Sequence, residues 1–230
     1  MSWDSVSKIK KYREVKWLVP ISLGDSYKGY PVLATTTDYF KHYKYGRKQS
    51  LSFEKGTPFK SFNQVVLGSE IAKKLNLDIE RKIFLSHGTG RKQLKVHKDI
   101  PFNVVGILKP TGTPIDKTIH IPLEGMTAIH LNPIIQKKLI SSKTNPNIKL
   151  KPTSITSCLV GLTSKFHIFN VQDRITNSTD EPLMAILPGA TLAQLWSTIS
   201  TFDKAFLGMT ILVTIITFLG LLLSLFLSLQ

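Results

Sequence analysis

The sequence predicts an α+β domain followed by one C-terminal transmembrane helix, on the strength of three observations. Short apolar runs alternate with Gly, Pro, Asn and Asp turn signals along most of the chain, as in a sheet of short strands. Helical spacing of apolar residues appears between these runs, in "SEIAKKLNL" and "SKFHIFNVQDRITN". From Ala205 to Leu229 no residue is charged. That last run extends roughly 37 Å as a helix, against a hydrocarbon core of roughly 30 Å.

The elements follow in order. The stretch "VKWLVPISLGDSYKGYPVLATT" predicts strand, turn, strand, with Gly24-Asp25 and Lys28-Gly29 at turn positions. "TTTDYFKHYKYG" places Tyr39, Phe40 and Tyr43 on one side of a short helix ended by Gly46, an aromatic cluster that suits a packed edge. "NQVVLGSEIAKKLNLDIERKIFLS" predicts strand, helix, turn, strand, with Ser69 as N-cap, Glu70 in the first turn and Ile71, Ala72 and Leu75 facing the core. "KIFLS" and "PFNVVGIL" read as strands joined by the polar loop "HGTGRKQLKVHKDI".

The most distinctive soluble stretch is "GILKPTGTPIDKTIHIPLEGMTAIHL". Its prolines, glycines and threonines stiffen a loop, Thr111 to Asp116, ahead of the strand "TIHIPL" and a short helical turn. "NPIIQKKLISSKTNPNIKLKPTS" reads as a connector and the best internal boundary. Beyond it, "SITSCLVGL" predicts a strand with Cys158 as a small buried residue, since a lone cysteine can form no intramolecular disulfide. A helix capped by Ser164 would bury Phe166, Ile168, Phe169, Val171 and Ile175, and "PLMAILP" would be a strand. The final helix, capped by Thr191, repeats Leu192, Leu195, Trp196, Ile199 and Phe202 at three- and four-residue steps. No Gly or Pro separates it from Ala205, so one rod is expected to run from the domain into the bilayer.

Composition and motifs narrow the function. At 230 residues and 42% hydrophobic, the chain less its span can bury a real core. A net charge of +15 invites nucleic acid, but the basic pairs are scattered and no recognition motif accompanies them, so a solvated surface or one facing anionic headgroups accounts for them better. "GTGRK" lacks the phosphate-loop spacing, no Gly-x-Ser-x-Gly elbow occurs, and Cys158 has no basic neighbour, so no enzyme and no cofactor are expected. The histidines at 42, 87, 97, 120, 130 and 167 show no zinc-protease spacing; His87, His97 and His120 could make a metal site if their loops met, although scattered surface histidines are the commoner case.

A family resemblance rests on "GDSYKGYPVLATTTDYF", "VVLGSEIAKKLNL", "HGTG", "PFNVVGILKPTGTPIDKTIHIPLEGMTAIHL" and "EPLMAILPGATLAQLW", in that order. Together they resemble the extracytoplasmic domain of FtsX-like, MacB-type ABC transporter permeases over about residues 15 to 228. The resemblance implies a MacB-like domain with a βαβ-containing part and an inserted mixed α/β part. The expected division is 1–45 as the start of the core, 46–150 as the insertion, 151–200 as core and stalk helix, and 201–230 as the second transmembrane helix. It departs at Glu80-Arg81, where the family has a Gly-Asp turn, so a turn of different shape is expected. It also implies a further helix before residue 1 and a cytoplasmic segment past the span, so that a fragment of a permease is expected.

By the same resemblance the domain would lie on the periplasmic side of a bacterial inner membrane. It would relay ATP-driven motion for export or extraction of a lipid-linked, peptide or small-molecule substrate. ATP would bind a separate ABC ATPase; a second permease copy and a periplasmic adaptor are further expected partners, and nucleic acid is not. Thr111, Gly112, Thr113, Pro114 and Asp116 are the expected partner-contact loop, and Leu192, Leu195, Trp196, Ile199 and Phe202 the relay stalk. The alternatives are a self-standing membrane-anchored binding module, for anionic lipid or a metal held by the histidines, and an inactive truncated relic.

Overall fold

The computed structural model describes residues 1–87, 100–141 and 150–229, in two units, Met1–Leu183 and Met184–Gln230. In the first unit a short helix α1 (Trp3–Lys10) precedes the long strand β1 (Val15–Tyr27), which turns back as β2 (Tyr30–Thr35). Then come α2 (Asp38–His42), the short strands β3 (Lys44–Tyr45), β4 (Gln49–Ser50) and β5 (Phe53–Gly56), and β6 (Gln64–Leu67). Helix α3 (Ser69–Lys74) leads to β7 (Lys82–Ile83), β8 (Ser86–His87) and β9 (Phe102–Leu108). A 3-10 turn (Pro114–Lys117) precedes β10 (Ile119–Pro122), α4 (Leu123–Ile129) and α5 (Pro133–Ser141). The unit closes with β11 (Ser157–Leu162), a second 3-10 turn (Lys165–His167) and α6 (Ile168–Thr176).

One mixed sheet runs in the order β11-β1-β2-β10-β6-β9-β5, with β7 also on β9 and β8 also on β1. The β1–β2 pair is a two-residue hairpin, because Lys28 (φ 49) and Gly29 (φ 85) both adopt positive φ and so match the twist of the strands. Gly24-Asp25, by contrast, is no turn. The β1–β2 register shifts between Leu23 and Ser26, so this dipeptide is a bulge within one continuous strand. At the bulge, Asp25 and Ser26 pair with His87 and Ser86 of β8.

Parallel pairs β2–β10 and β6–β9 place the middle of the sheet under cover. Val19, Val66, Leu108 and Ile115 bury their side chains with Tyr39, Phe40, Leu51 and Phe59. The aromatic cluster therefore packs as a core. His120 on β10 joins it fully buried, with ring centroids 5.5 Å from Tyr39 and 5.8 Å from Phe40.

Other expectations are corrected. Ser69 is the first helical residue and Gly68 occupies the N-cap of α3, while Leu75 is only half-buried. Glu80 takes the left-handed conformation (φ 69) that glycine adopts at least cost. The stretch 133–141 is helical, where a connector was expected, and residues 142–149 of that connector lie outside the described residues. Ser164 caps its turn as expected, accepting from the Phe166 N–H, but Phe166 and Phe169 are exposed and only Val171 and Ile175 of the expected face are fully buried. "PLMAIL" forms no strand; Pro182 and Pro188 bound it, and neither can donate to a ladder. Cys158 is half-buried on β11, and burial pushes its thiol up, away from reactivity.

The fold also contains a helix the sequence reading missed. Ser2 caps α1, and Glu181 accepts from the Ser2 amide and from the hydroxyls of Ser2 and Ser5, tying the helix to residue 181. Bonding from Ser5 and the Ser2 amide holds the Glu181 carboxyl down to about 2.

His120 generates a test. Burial lowers its imidazole to about 4, although contact with the Val66 backbone favours the charged form. An unfolded histidine protonates near 6.5, so between about pH 6.5 and pH 4 the unfolded chain binds a proton that the folded chain refuses. Stability is therefore lost as pH falls through that window, by up to about 3 kcal/mol from this group. Thermal unfolding in detergent at pH 7.5 and pH 4.5 is expected to show a smaller acid loss for His120→Leu than for the native chain.

Candidate functional site

The loop at 109–118 is held from three directions. Ile115 inserts into the aromatic core. The Asp116 carboxylate turns inward and accepts from the Thr111 amide at 2.9 Å, the Gly112 amide at 2.8 Å and the Thr111 hydroxyl at 2.8 Å. Burial by itself pushes the Asp116 carboxyl up, but these donors and the Ser69 hydroxyl outweigh it and hold the group below the usual carboxylate range. The third support is Gly68: a Cβ there would stand 2.3 Å from the Ile115 carbonyl oxygen and 2.5 Å from that of Asp116. Only glycine permits so close an approach between the β6–α3 junction and the loop.

Within this frame Gly112 (φ 68) turns the chain, and Thr113 caps the 3-10 turn through the Ile115 amide. Lys109, Pro110, Gly112 and Pro114 are exposed, while Thr111 and Thr113 are half-buried. Glu70 on α3 pairs with Lys74 at 2.5 Å and Lys117 at 3.7 Å. The loop thus offers a stiff, uncharged Pro-Gly tip with its carboxylate engaged inside. That arrangement suits recognition by shape.

The second unit contains helix α7 (Pro188–Ser228), 41 residues without a break. It begins three residues before the expected cap: Leu187 is the N-cap, Pro188 is the first helical residue, and the Thr191 hydroxyl donates to the Leu187 carbonyl. Leu192, Leu195, Trp196, Ile199 and Phe202 lie along one stripe and are all exposed. Asp203 and Lys204 are the last charged residues before the apolar run. In that run Thr210, Thr214 and Thr217 donate to the carbonyls of Phe206, Thr210 and Val213, so their hydroxyls are satisfied without water. This helix is long and apolar enough to cross a membrane.

His120 is sealed in the core, and His97 and the His87 side chain lie outside the described residues. Among the described residues no group of three His, Cys, Asp or Glu side chains is assembled. One histidine does approach an acid: His130 Nε2 is 3.8 Å from Asp25 Oδ2, beside a cavity of about 470 Å³. The sequence pattern gave no sign of this pair, because its partners stand on strand and helix far apart in the chain.

Comparison with known proteins gives a family match. The model of the MacB-like periplasmic core domain matches residues 1–178. No curated protein matches the sequence. Among solved structures, the periplasmic region of MacB from Actinobacillus actinomycetemcomitans shares the fold at a TM-score of 0.51 and 11% identity, over 86% of this chain and 83% of that one. The extracellular domain of the noncanonic ABC-type transporter YknZ from Gram-positive bacteria gives 0.44 at 13% identity, over 75% of this chain and 78% of that one. A domain of a putative permease from Porphyromonas gingivalis gives 0.41 at 9%, over 75% of this chain and 65% of that one.

Two glycine substitutions test the loop's support. Gly68→Ala drives a methyl into fixed carbonyls and is expected to cost about 1–3 kcal/mol, whereas Gly189→Ala, on the open first turn of α7, costs nothing. Thermal unfolding is expected to fall by roughly 2–10 °C for the first and to stay unchanged for the second.

Proposed function

The chain belongs to the MacB-like periplasmic core domain family, the extracytoplasmic domain of ABC transporter permeases, and on that premise we propose that it relays ATP-driven motion across a bacterial inner membrane. The domain stands on the periplasmic side, a separate ABC ATPase supplies the motion from the cytoplasm, and a second permease copy completes the transporter. A periplasmic adaptor or substrate meets the Thr111–Asp116 loop. The cargo is a lipid-linked, peptide or small-molecule substrate.

The observation that carries this reading is the continuity of α7. A helix is stiff along its axis because every interior residue is bonded to the next turn, and no Pro or Gly pair interrupts this one past its first turn. Its first 17 residues, 188–204, add about 25 Å of rod ahead of roughly 37 Å of span. The exposed stripe from Leu192 to Phe202 gives that rod an apolar face for a neighbouring stalk helix.

Sidedness is tested by labelling. Cysteine is placed at the loop tip as Gly112→Cys in a Cys158→Ser background, and intact spheroplasts are treated with a membrane-impermeant maleimide. Labelling before lysis is expected; labelling only after lysis rejects a periplasmic domain.

The relay is tested by hydrogen exchange in the membrane complex with the ATPase. Amides over 102–129 are expected to differ in protection between the ATP- and ADP-bound complexes, and Leu195→Ala with Trp196→Ala is expected to abolish that difference. A difference that persists in the double variant rejects the stalk.

A further inference from the structure

The segment from Arg174 to Glu181 is fastened along α1 from one end of that helix to the other. Beside its C-terminal end the Arg174 guanidinium stands 3.9 Å from the centre of the Tyr12 ring. Farther along, Lys8 Nζ lies 2.8 Å from Asp180 Oδ2, and Ile9 and Ile175 are both buried. At the N-terminal end the Glu181 carboxylate takes the first turn. It accepts from the Ser2 amide at 3.0 Å, from the Ser2 hydroxyl at 2.9 Å and from the Ser5 hydroxyl at 2.6 Å.

These contacts differ in weight. The Lys8–Asp180 pair is exposed on both sides, and a solvated ion pair of that kind adds little. Glu181 instead brings a charged acceptor to three donors at a helix N-terminus, where unpaired amides and the helix dipole favour an anion. Its carboxyl, held down to about 2, stays ionised throughout the neutral and mildly acidic range.

The same end of α1 is bonded to the sheet. The Trp3 amide donates to the Thr153 carbonyl at 3.0 Å, the Ile155 amide donates to the Met1 carbonyl at 2.9 Å, and Ser2 forms a β-bridge with Ser154. The Thr156 amide then donates to the Ile21 carbonyl of β1, and the Thr156 hydroxyl accepts from the Leu23 amide. A bonded path therefore runs from Glu181 through Ser2 and residues 153–156 into β1. In the other direction along the chain, Pro188, the first residue of α7, comes seven residues after Glu181, and Pro182 and Pro188 fix φ at both ends of that connection.

Given the relay reading, on which the anchor rests, we propose that Glu181 is the positioning residue through which movement of α7 enters the domain. Its carboxylate fastens the chain just ahead of the stalk to the N-terminus of α1, and displacement passes from there to residues 153–156 and β1.

The anchor itself is tested on the full chain in detergent, without the ATPase. Glu181→Gln keeps the size of the side chain but offers one acceptor oxygen in place of two. Hydrogen exchange over residues 3–12 and 178–183 is expected to quicken by roughly threefold or more. Exchange unchanged in both segments overturns the anchor. In the membrane complex with the ATPase, amides over 15–23 and 153–162 are expected to differ between the ATP- and ADP-bound states, and Glu181→Gln is expected to abolish that difference. Val6→Ala thins the buried face of α1 and leaves the carboxylate contacts in place, so it is expected to lower the unfolding temperature and keep the difference. A native complex with no nucleotide-dependent difference over these segments or over 102–129 rejects the relay, and the anchor with it. A difference that Glu181→Gln retains, or that Val6→Ala abolishes equally, rejects Glu181 alone. Folding is checked by near-UV circular dichroism. Where Glu181→Gln fails to fold, Glu181→Asp, which keeps the charge and withdraws it by one methylene, serves in both measurements with the same outcomes.

Discussion

Strand β1 pairs with β11 from Val15 to Ile21, with β2 from Ile21 to Tyr27, and with β8 at Asp25 and Ser26. A strand has two hydrogen-bonding edges, so serving three partners requires a change of neighbour along one edge. The extra residue at Gly24-Asp25 comes where that change occurs. Beyond β11, β8 takes over that edge, and Asp25 comes to lie opposite His130 at the end of α4. The chain begins against the same region, with Glu181 holding the Ser2 cap of α1.

The two features singled out for function are built on opposite physical plans. The 109–118 loop is stiff because its polar groups are spent internally: Asp116 absorbs donors that would otherwise compete for water, and Gly68 admits the β6–α3 junction against it. What it shows outward is shape. Helix α7 is stiff because of its own backbone ladder, and it shows outward a continuous apolar surface that water does not favour. A bilayer covers such a surface along 205–229, and a neighbouring helix suits the narrower stripe from Leu192 to Phe202.

Much of this was legible in the sequence wherever a local rule decided the outcome. Lys28-Gly29 announced the hairpin because two positive φ values in succession demand such residues. The helix α3, the strands β6, β9, β10 and β11, and the Ser164 cap followed from periodicity and capping. Misreadings fell where a local signal had two outcomes. Gly24 marks a bulge as readily as a turn, Phe166 and Phe169 keep helical spacing whether or not anything covers them, and the sequence "PLMAIL" suits a strand only if an edge stands ready to bond it. The Asp116 cradle was half visible: the loop's stiffness could be read, but the inward direction of its carboxylate could not.

The sequence alone determined that this chain has a membrane-spanning run and a strand-rich domain before it, because hydropathy over 25 residues and strand-turn alternation are properties of neighbours along the chain. Only the tertiary structure decided which histidine meets an acid. His120 falls in the sheet between Val66 and Leu33 of flanking strands and is sealed there, while His130 follows α4 to the end of β1 and faces Asp25. Contacts of that kind depend on register between segments about a hundred residues apart, and no local pattern encodes register at that range.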